Sequence, residues 1–154
     1  MLSQDLSIDL NEGKLNIRVA AWIEYNGKLL VCQFPDGARS LPGGRMQYGE
    51  TSEEAIKREI FEETGVALVH TKLFAVIENF FQYKQGFHEL LFIYKGEIPF
   101  QSDYRGRDAD DQVIAWTSLD NVSELKPSVL VNLKNQMAKE TILHLVSVDD
   151  SIGK

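Results

Sequence analysis

Glu59, Glu62 and Glu63 stand at i, i+3 and i+4 of one segment. On a helix, at about 100° per residue, they share an arc of roughly 100° on one face. Like charges so placed repel by a few tenths of a kcal/mol, roughly, when exposed and by more when half-buried, so a cation is expected beside them. Carboxylate oxygens are hard ligands that suit Mg²⁺ or Mn²⁺, ions that keep some waters and share their coordination with substrate phosphates. Just upstream, Gly43 and Gly44 have no side chains, so backbone groups there can approach a metal or a phosphate closely. The charges also admit a plainer reading. Glu53 with Lys57, Glu54 with Arg58, and Arg58 with Glu62 are opposite-charge i, i+4 pairs that stabilise any solvated helix.

The elements that must position these groups are legible from capping and breaker residues. Thr51 can cap a helix, Glu54 is its capping-box partner three residues on, and Gly65 suits the left-handed turn that ends one. A helix is therefore expected over residues 52–64. Before it, two β-branched and aromatic runs, 15–25 and 28–34, flank Asn26-Gly27 and predict a tight hairpin. Pro35, Asp36, Gly37 and the cluster Leu41-Pro42-Gly43-Gly44 then read as a loop leading into the helix. After it, residues 67–83 and 87–97 read as two strands and 106–111 as an exposed polar loop. A short strand is expected at 113–117, a second helix at 129–139 behind Pro127, and a last strand or extended tail at 141–148. Strands on both sides of a central helix, with another helix at the end, predict a mixed α/β sandwich. A chain of 154 residues that is 44% hydrophobic has room for one such domain over 1–154.

Sixteen Lys plus Arg against 23 Asp plus Glu give a net charge of -7. That balance argues against nucleic acid or an anionic membrane as a general partner, though not against a local basic pocket. No apolar run approaches the roughly 18 residues of a membrane span, and the start carries Asp5 and Asp9 with no positive n-region. A soluble, cytoplasmic protein is the expectation. Cys32, the single cysteine, excludes an intramolecular disulfide and a Cys-clustered zinc site; alternating with Leu30 and Phe34, it reads as a small buried hydrophobe.

Residues 44–66 read GRMQYGETSEEAIKREIFEETGV and fit G-x5-E-x7-R-E-U-x-E-E-x-G-U, with U a bulky aliphatic, at every specified position. This stretch resembles the signature of the Nudix hydrolase family. The resemblance implies an α/β/α sandwich with a mixed sheet and a central loop-helix-loop, and the Trp116, Leu119 and Pro127 region is similar to the family's closing segment. It also implies that Glu59, Glu62 and Glu63 bind the catalytic divalent metal, Mg²⁺ or Mn²⁺, with the Gly43 carbonyl a further ligand. Arg58 and Glu50 would then support the acidic cluster. The implied reaction is hydrolysis of a phosphoanhydride in a nucleoside diphosphate linked to another group. The substrate is a small nucleotide: a nucleoside triphosphate, a dinucleoside polyphosphate or a nucleotide sugar. Family members are often dimers, which leaves a homodimer open.

The general base has two sequence candidates. Glu89 alternates with Leu91 and Ile93, so it points to a packed surface either as a metal ligand or base, or as the partner of a nearby Arg or Lys. Asp110 and Asp111 occupy the polar loop, either solvated or closing on the metal. His70, His88 and His144 are scattered and read as structural or exposed. Phe80, Phe81, Tyr83, Phe87, Phe92 and Tyr94 read mostly as core, with one or two free to stack on a nucleobase. Tyr83 lies roughly where the dinucleoside-polyphosphate group tends to have tyrosine, whereas Phe81 and Gln82 stand where the ADP-ribose group tends to have proline. Cys32 gives the Nudix-like isoprenoid isomerases little support. The alternative from another class is a non-catalytic Nudix-like sensor; such modules usually lose box acids, and all are present here.

Overall fold

Runs of apolar residues longer than strict alternation mark strands covered on both faces, and the centre of this protein is built from them. The computed structural model describes residues 3–104, 112–120, 125–136 and 141–148. Its strands are β1 (Ser7–Leu10), β2 (Gly13–Trp22), β3 (Glu24–Tyr25), β4 (Lys28–Gln33), β5 (Arg39–Ser40) and β6 (Gly43–Arg45). The helix α1 (Ser52–Thr64) follows, then β7 (Val69–Tyr83), β8 (Gln85–Glu97), β9 (Val113–Ser118), β10 (Leu125–Lys126), a 3-10 helix (Ser128–Gln136) and β11 (Leu143–Val148).

One sheet runs β1-β2-β8-β7-β11, with β6 beside β1 along the same edge of β2; β2 pairs parallel with β8, and β7 antiparallel with β8. The other runs β10-β5-β4-β3, with β9 on β4. Residues 19–23 are buried without interruption, yet alternate ones serve different cores. Val19, Ala21 and Ile23 pack with Ala55, Ile56 and Ile60 of α1, whereas Ala20 and Trp22 pack with Leu130 and Leu133 of the 3-10 helix. Each such fully buried aliphatic side chain contributes about 1.5–3 kcal/mol. The result is the expected α/β/α arrangement around mixed strands.

Three expectations are corrected. The run 15–25 is not one strand, because the chain leaves the first sheet at Ile23 and pairs as β3 in the second. No glycine or proline marks that switch. The Asn26-Gly27 hairpin does form, with both residues at positive φ, but between β3 and β4 only. The segment behind Pro127 winds as a 3-10 helix from Ser128 rather than the expected helix over 129–139, and residues 137–139 lie outside the described part, as do 106–111. Finally, β7 and β8 turn on Lys84 alone, so β8 starts two residues earlier than the sequence suggests. The stretch 141–148 resolves as β11, parallel to β7. Among the described residues no helix is long and apolar enough to cross a membrane.

Candidate active site

The predicted caps set α1 in place. Thr51 Oγ1 accepts the Glu54 N–H at 3.1 Å, Glu54 Oε2 accepts the Thr51 N–H at 3.2 Å, and Gly65, at φ 78°, donates its N–H to the Phe61 carbonyl at 2.9 Å. Ser52 and Tyr94 hydroxyls, 2.6 Å apart, tie the start of the helix to β8. With Ile56 and Ile60 facing the sheet, the same face carries the buried Glu63, while Glu59 and then Glu62 follow on one side of it, towards solvent.

Arg58 holds this cluster. Its Nε and Nη2 donate to the two oxygens of Glu50 at 3.0 and 2.7 Å, its Nη1 to Glu59 at 2.9 Å and Glu62 at 3.3 Å, and its Nη2 also to the Arg45 carbonyl at 3.1 Å. The cation expected beside the carboxylates is thus supplied in part by the helix itself, through a bidentate fork that lysine could not copy. The i, i+4 pair Arg58–Glu62 of the plainer reading is present too, as is Lys57–Glu53 at 3.4 Å. Hydrogen bonding to Glu50 first, then to Glu59, raises the Arg58 pKa further against the opposing effect of burial.

Burial pushes the Glu50 carboxyl up, but the Arg58 hydrogen bonds, the Gln47 N–H and the Arg58 charge together outweigh it and hold it below the ordinary range. A depressed carboxyl stabilises the fold above its unfolded pKa, about 4.3, and loses that contribution as pH falls through its folded value. Glu50→Gln is therefore expected to destabilise by about 1–3 kcal/mol near pH 7, with the gap from wild type closing towards about pH 3. Urea unfolding at the two pH values checks this; a gap that widens in acid contradicts it.

The loop glycines act by close approach. A Cβ on Gly44 would lie 2.6 Å from the Glu59 carboxylate, so that carboxylate fills the space a side chain would take. A Cβ on Gly43 would lie 2.0 Å from the Val19 carbonyl oxygen. Ala21 N–H bonds the Pro42 carbonyl and Met46 N–H bonds that of Ile17. In an antiparallel ladder that alternation turns the N–H and C=O of Gly43 and Arg45 away from β2, towards an edge on which no described strand pairs. The Gly43 carbonyl thus shares the edge where Arg58 meets the Arg45 carbonyl.

These donors fit a hard divalent cation. Three carboxylates and a free-edge carbonyl are all oxygen ligands, and Gly44 leaves Glu59 room to reach. Among the described residues no three His, Cys, Asp or Glu side chains already converge as a cage, since Glu59 and Glu62 turn to Arg58.

Glu89 stands elsewhere. It shares the parity of Leu91 and Ile93, and so lies on the sheet face opposite α1, in a cavity of about 900 Å³. It is buried; its Oε2 accepts from Asn16 Nδ2 at 2.9 Å and lies 4.0 Å from Arg18 Nε, which gives it the basic partner that was one of its two expected roles. Around it are Asn79, Phe34, Phe81, Phe87 and, at the gly-rich end, Gly43 and Arg45. Phe81 and Phe87 stack at 4.8 Å, whereas Tyr83 is mostly exposed at the rim, and Tyr94 and Phe92 pack on the helix side. Asp110 and Asp111 lie outside the described residues. Cys32 is buried beneath α1, where burial, and then the Glu63 charge, push its thiol well above the ordinary range; no nucleophile is made there. His70 and His144 are exposed partners of Glu97 and Glu78, and His88 packs on Phe80. Asn16, Arg18, Arg45 and Asn79 were not singled out by the sequence. An asparagine inside an aromatic, β-branched strand, such as Asn79, is the signal that could have found one of them.

A model of the NUDIX domain matches residues 14–139. A MutT-like protein of Streptomyces ambofaciens is 29% identical over 66% of this chain and 62% of its own length. An 8-oxo-dGTP diphosphatase of Haemophilus influenzae is 42% identical over 38% of this chain and 48% of its own. The chain thus spans about half to three-fifths of the length of these curated relatives. The crystal structure of a MutT NUDIX hydrolase from Burkholderia pseudomallei superposes with a TM-score of 0.65 at 27% identity, covering 78% of this chain and 96% of that one.

Proposed function

The chain belongs to the Nudix family, and on that premise we propose that it is a metal-dependent hydrolase cleaving a phosphoanhydride in a nucleoside diphosphate linked to another group. The observation that carries this reading is the Glu59 carboxylate seated on Gly44 beside the free-edge Gly43 carbonyl, with Glu62 and Glu63 on the same helix. Glu59, Glu62, Glu63 and the Gly43 carbonyl would hold Mg²⁺ or Mn²⁺. Once bound, such an ion neutralises phosphate oxygens, polarises phosphorus and lowers the pKa of water.

The chain's own residues do the rest. Arg58, locked by Glu50, keeps Glu59 and Glu62 oriented and offsets their repulsion before substrate arrives. Arg18 and Arg45 face each other across β2 and β6 on the cavity side, each loosely paired to a carboxylate, Glu89 at 4.0 Å and Asp5 at 3.9 Å, and each keeping donors to spare for an anion. They would bind the phosphate chain and present its anhydride at the Gly43 edge. A carboxylate of the α1 cluster takes the attacking water's proton.

Phosphate or pyrophosphatase-coupled release from nucleoside triphosphates, dinucleoside polyphosphates and nucleotide sugars tests this. Turnover is expected with Mg²⁺ or Mn²⁺, falling at least about a hundred-fold after chelation and returning when the ion is restored. Tight binding with no turnover of any substrate would replace the hydrolase by a nucleotide sensor.

A further inference from the structure

The register of the large sheet lines up one row of polar side chains across five strands. Ser7 pairs with Asn16, Asn16 with Glu89, Glu89 with Asn79, and Asn79 with Ser147. Neighbours in register point to the same face, so this row crosses the sheet on the cavity side, and Asn16, Glu89, Asn79 and Ser147 all line the cavity. On one side of it lies the stacked pair Phe81 and Phe87; on the other lie Arg18, Leu91 and Ile77.

Part of the row is satisfied from within. Ser7 Oγ donates to Asn16 Oδ1 at 2.6 Å, and Asn16 Nδ2 donates to Glu89 Oε2 at 2.9 Å, which fixes one carboxylate oxygen and orients the other. The remainder is not. Glu89 Oε1 and the Asn79 amide make no hydrogen bond to another described residue and open instead on the cavity they line. A donor and acceptors set side by side on a cavity wall, and not closed on one another, are free to exchange water for a ligand with a complementary edge. Their order is linear, along the hydrogen-bonding direction of the sheet. A planar ring presents its groups in such a line, whereas sugar hydroxyls project to all sides.

We propose that Asn79 and Glu89 read the base of the substrate, and that they select a guanine-type edge; this rests on the hydrolase reading above. A carboxylate is acceptor-only, and it is best met by adjacent N–H donors. Guanine alone of the common bases offers two, a ring N–H beside an exocyclic amino group, next to a carbonyl that the Asn79 amide can donate to. Adenine would set a ring C–H or a lone pair against one of these groups and leave it unpaired, at the cost of a buried, desolvated polar atom. The spacing agrees with a nucleotide lying along the sheet. Glu89 is four residues along β8 from Ile93, which pairs with Ala20, and Ala20 pairs with Gly43. With about 3.3 Å per residue along the strand and about 4.8 Å for each of the two strand spacings, the base site lies roughly 16 Å from the edge where the anhydride would be cut.

The test needs no variant to begin with. The kcat/KM of the wild-type protein is measured for guanosine, inosine and adenosine triphosphates, which remove first the exocyclic amino group and then the lactam. We expect guanosine to exceed inosine by about tenfold or more and inosine to exceed adenosine, with the differences mainly in KM. Glu89→Gln should bring the guanosine-to-inosine ratio close to one, and Asn79→Leu the inosine-to-adenosine ratio. Three equal wild-type values with turnover intact overturn the base reading and leave the hydrolase standing. So does a Glu89→Gln protein that keeps the guanosine preference while losing kcat on all three, for then the carboxylate serves the chemistry. If the wild type hydrolyses none of them, calorimetric binding of the same three decides: the same order upholds the base site as the hydrolase fails, and equal or absent binding overturns it.

Discussion

Glu59→Gln is expected to lower kcat by about a thousand-fold or more, some 4 kcal/mol of transition-state stabilisation, while the protein melts close to wild type. The substitution keeps the shape of the side chain and its hydrogen bond from Arg58 Nη1, so α1 and its contacts stay in place. What it removes is the negative charge seated on Gly44, one of the oxygen donors that would hold the cation. Because like carboxylates repel, losing one is also expected to stabilise the helix slightly in the absence of metal. The check is paired: single-turnover rates in Mg²⁺ or Mn²⁺ beside thermal melting with and without the ion. Turnover within tenfold of wild type would take Glu59 out of the reaction.

The two glycines before the helix should fail in different ways, although both substitutions add one methyl group. In Gly44→Ala the new carbon meets the Glu59 carboxylate, the far end of a side chain that can swing aside. Folding is expected to survive within about 1 kcal/mol, and kcat to drop by about a hundred-fold because the carboxylate is displaced by an ångström or so. In Gly43→Ala the new carbon meets the backbone of Val19 and Ala20, which cannot move without opening the β2–β6 ladder. That variant is expected to lose about 3 kcal/mol of stability as well as activity. Urea midpoints measured beside kcat separate the two, and equal destabilisation would refute the distinction.

The sequence made α1 and its cluster readable because their causes are local. Thr51, Glu54 and Gly65 cap the helix with residues three or four positions away, and the spacing of Glu59, Glu62 and Glu63 defines a face without reference to anything else. The part played by Arg58 was half visible: its pairing with Glu62 follows from i, i+4 spacing, but its fork on Glu50 and its bond to the Arg45 carbonyl depend on how the loop folds back. The sheet switch at Ile23 was hidden for a different reason. A residue in a continuous apolar run carries no sign of which of two sheets it joins, and the decision belongs to the partners β4 and β8. The polar row was least legible of all. Asn16, Glu89 and Asn79 are 73 residues apart at the extremes, and each alone resembles the solvent side of an alternating strand; only the register of β2, β8 and β7 makes them neighbours.

That β2 is covered on both sides has a further consequence for how such a protein can be retooled. Its odd-numbered residues Val19 and Ala21 carry the helix that holds the carboxylates, and its even-numbered residues Asn16, Arg18 and Ala20 floor the cavity. A change at an even position alters what is recognised without touching the support of the cutting machinery, and a change at an odd position does the reverse. One strand therefore acts as a partition between appetite and bite, so that mutational drift can alter diet at the even positions while the reaction stays fixed.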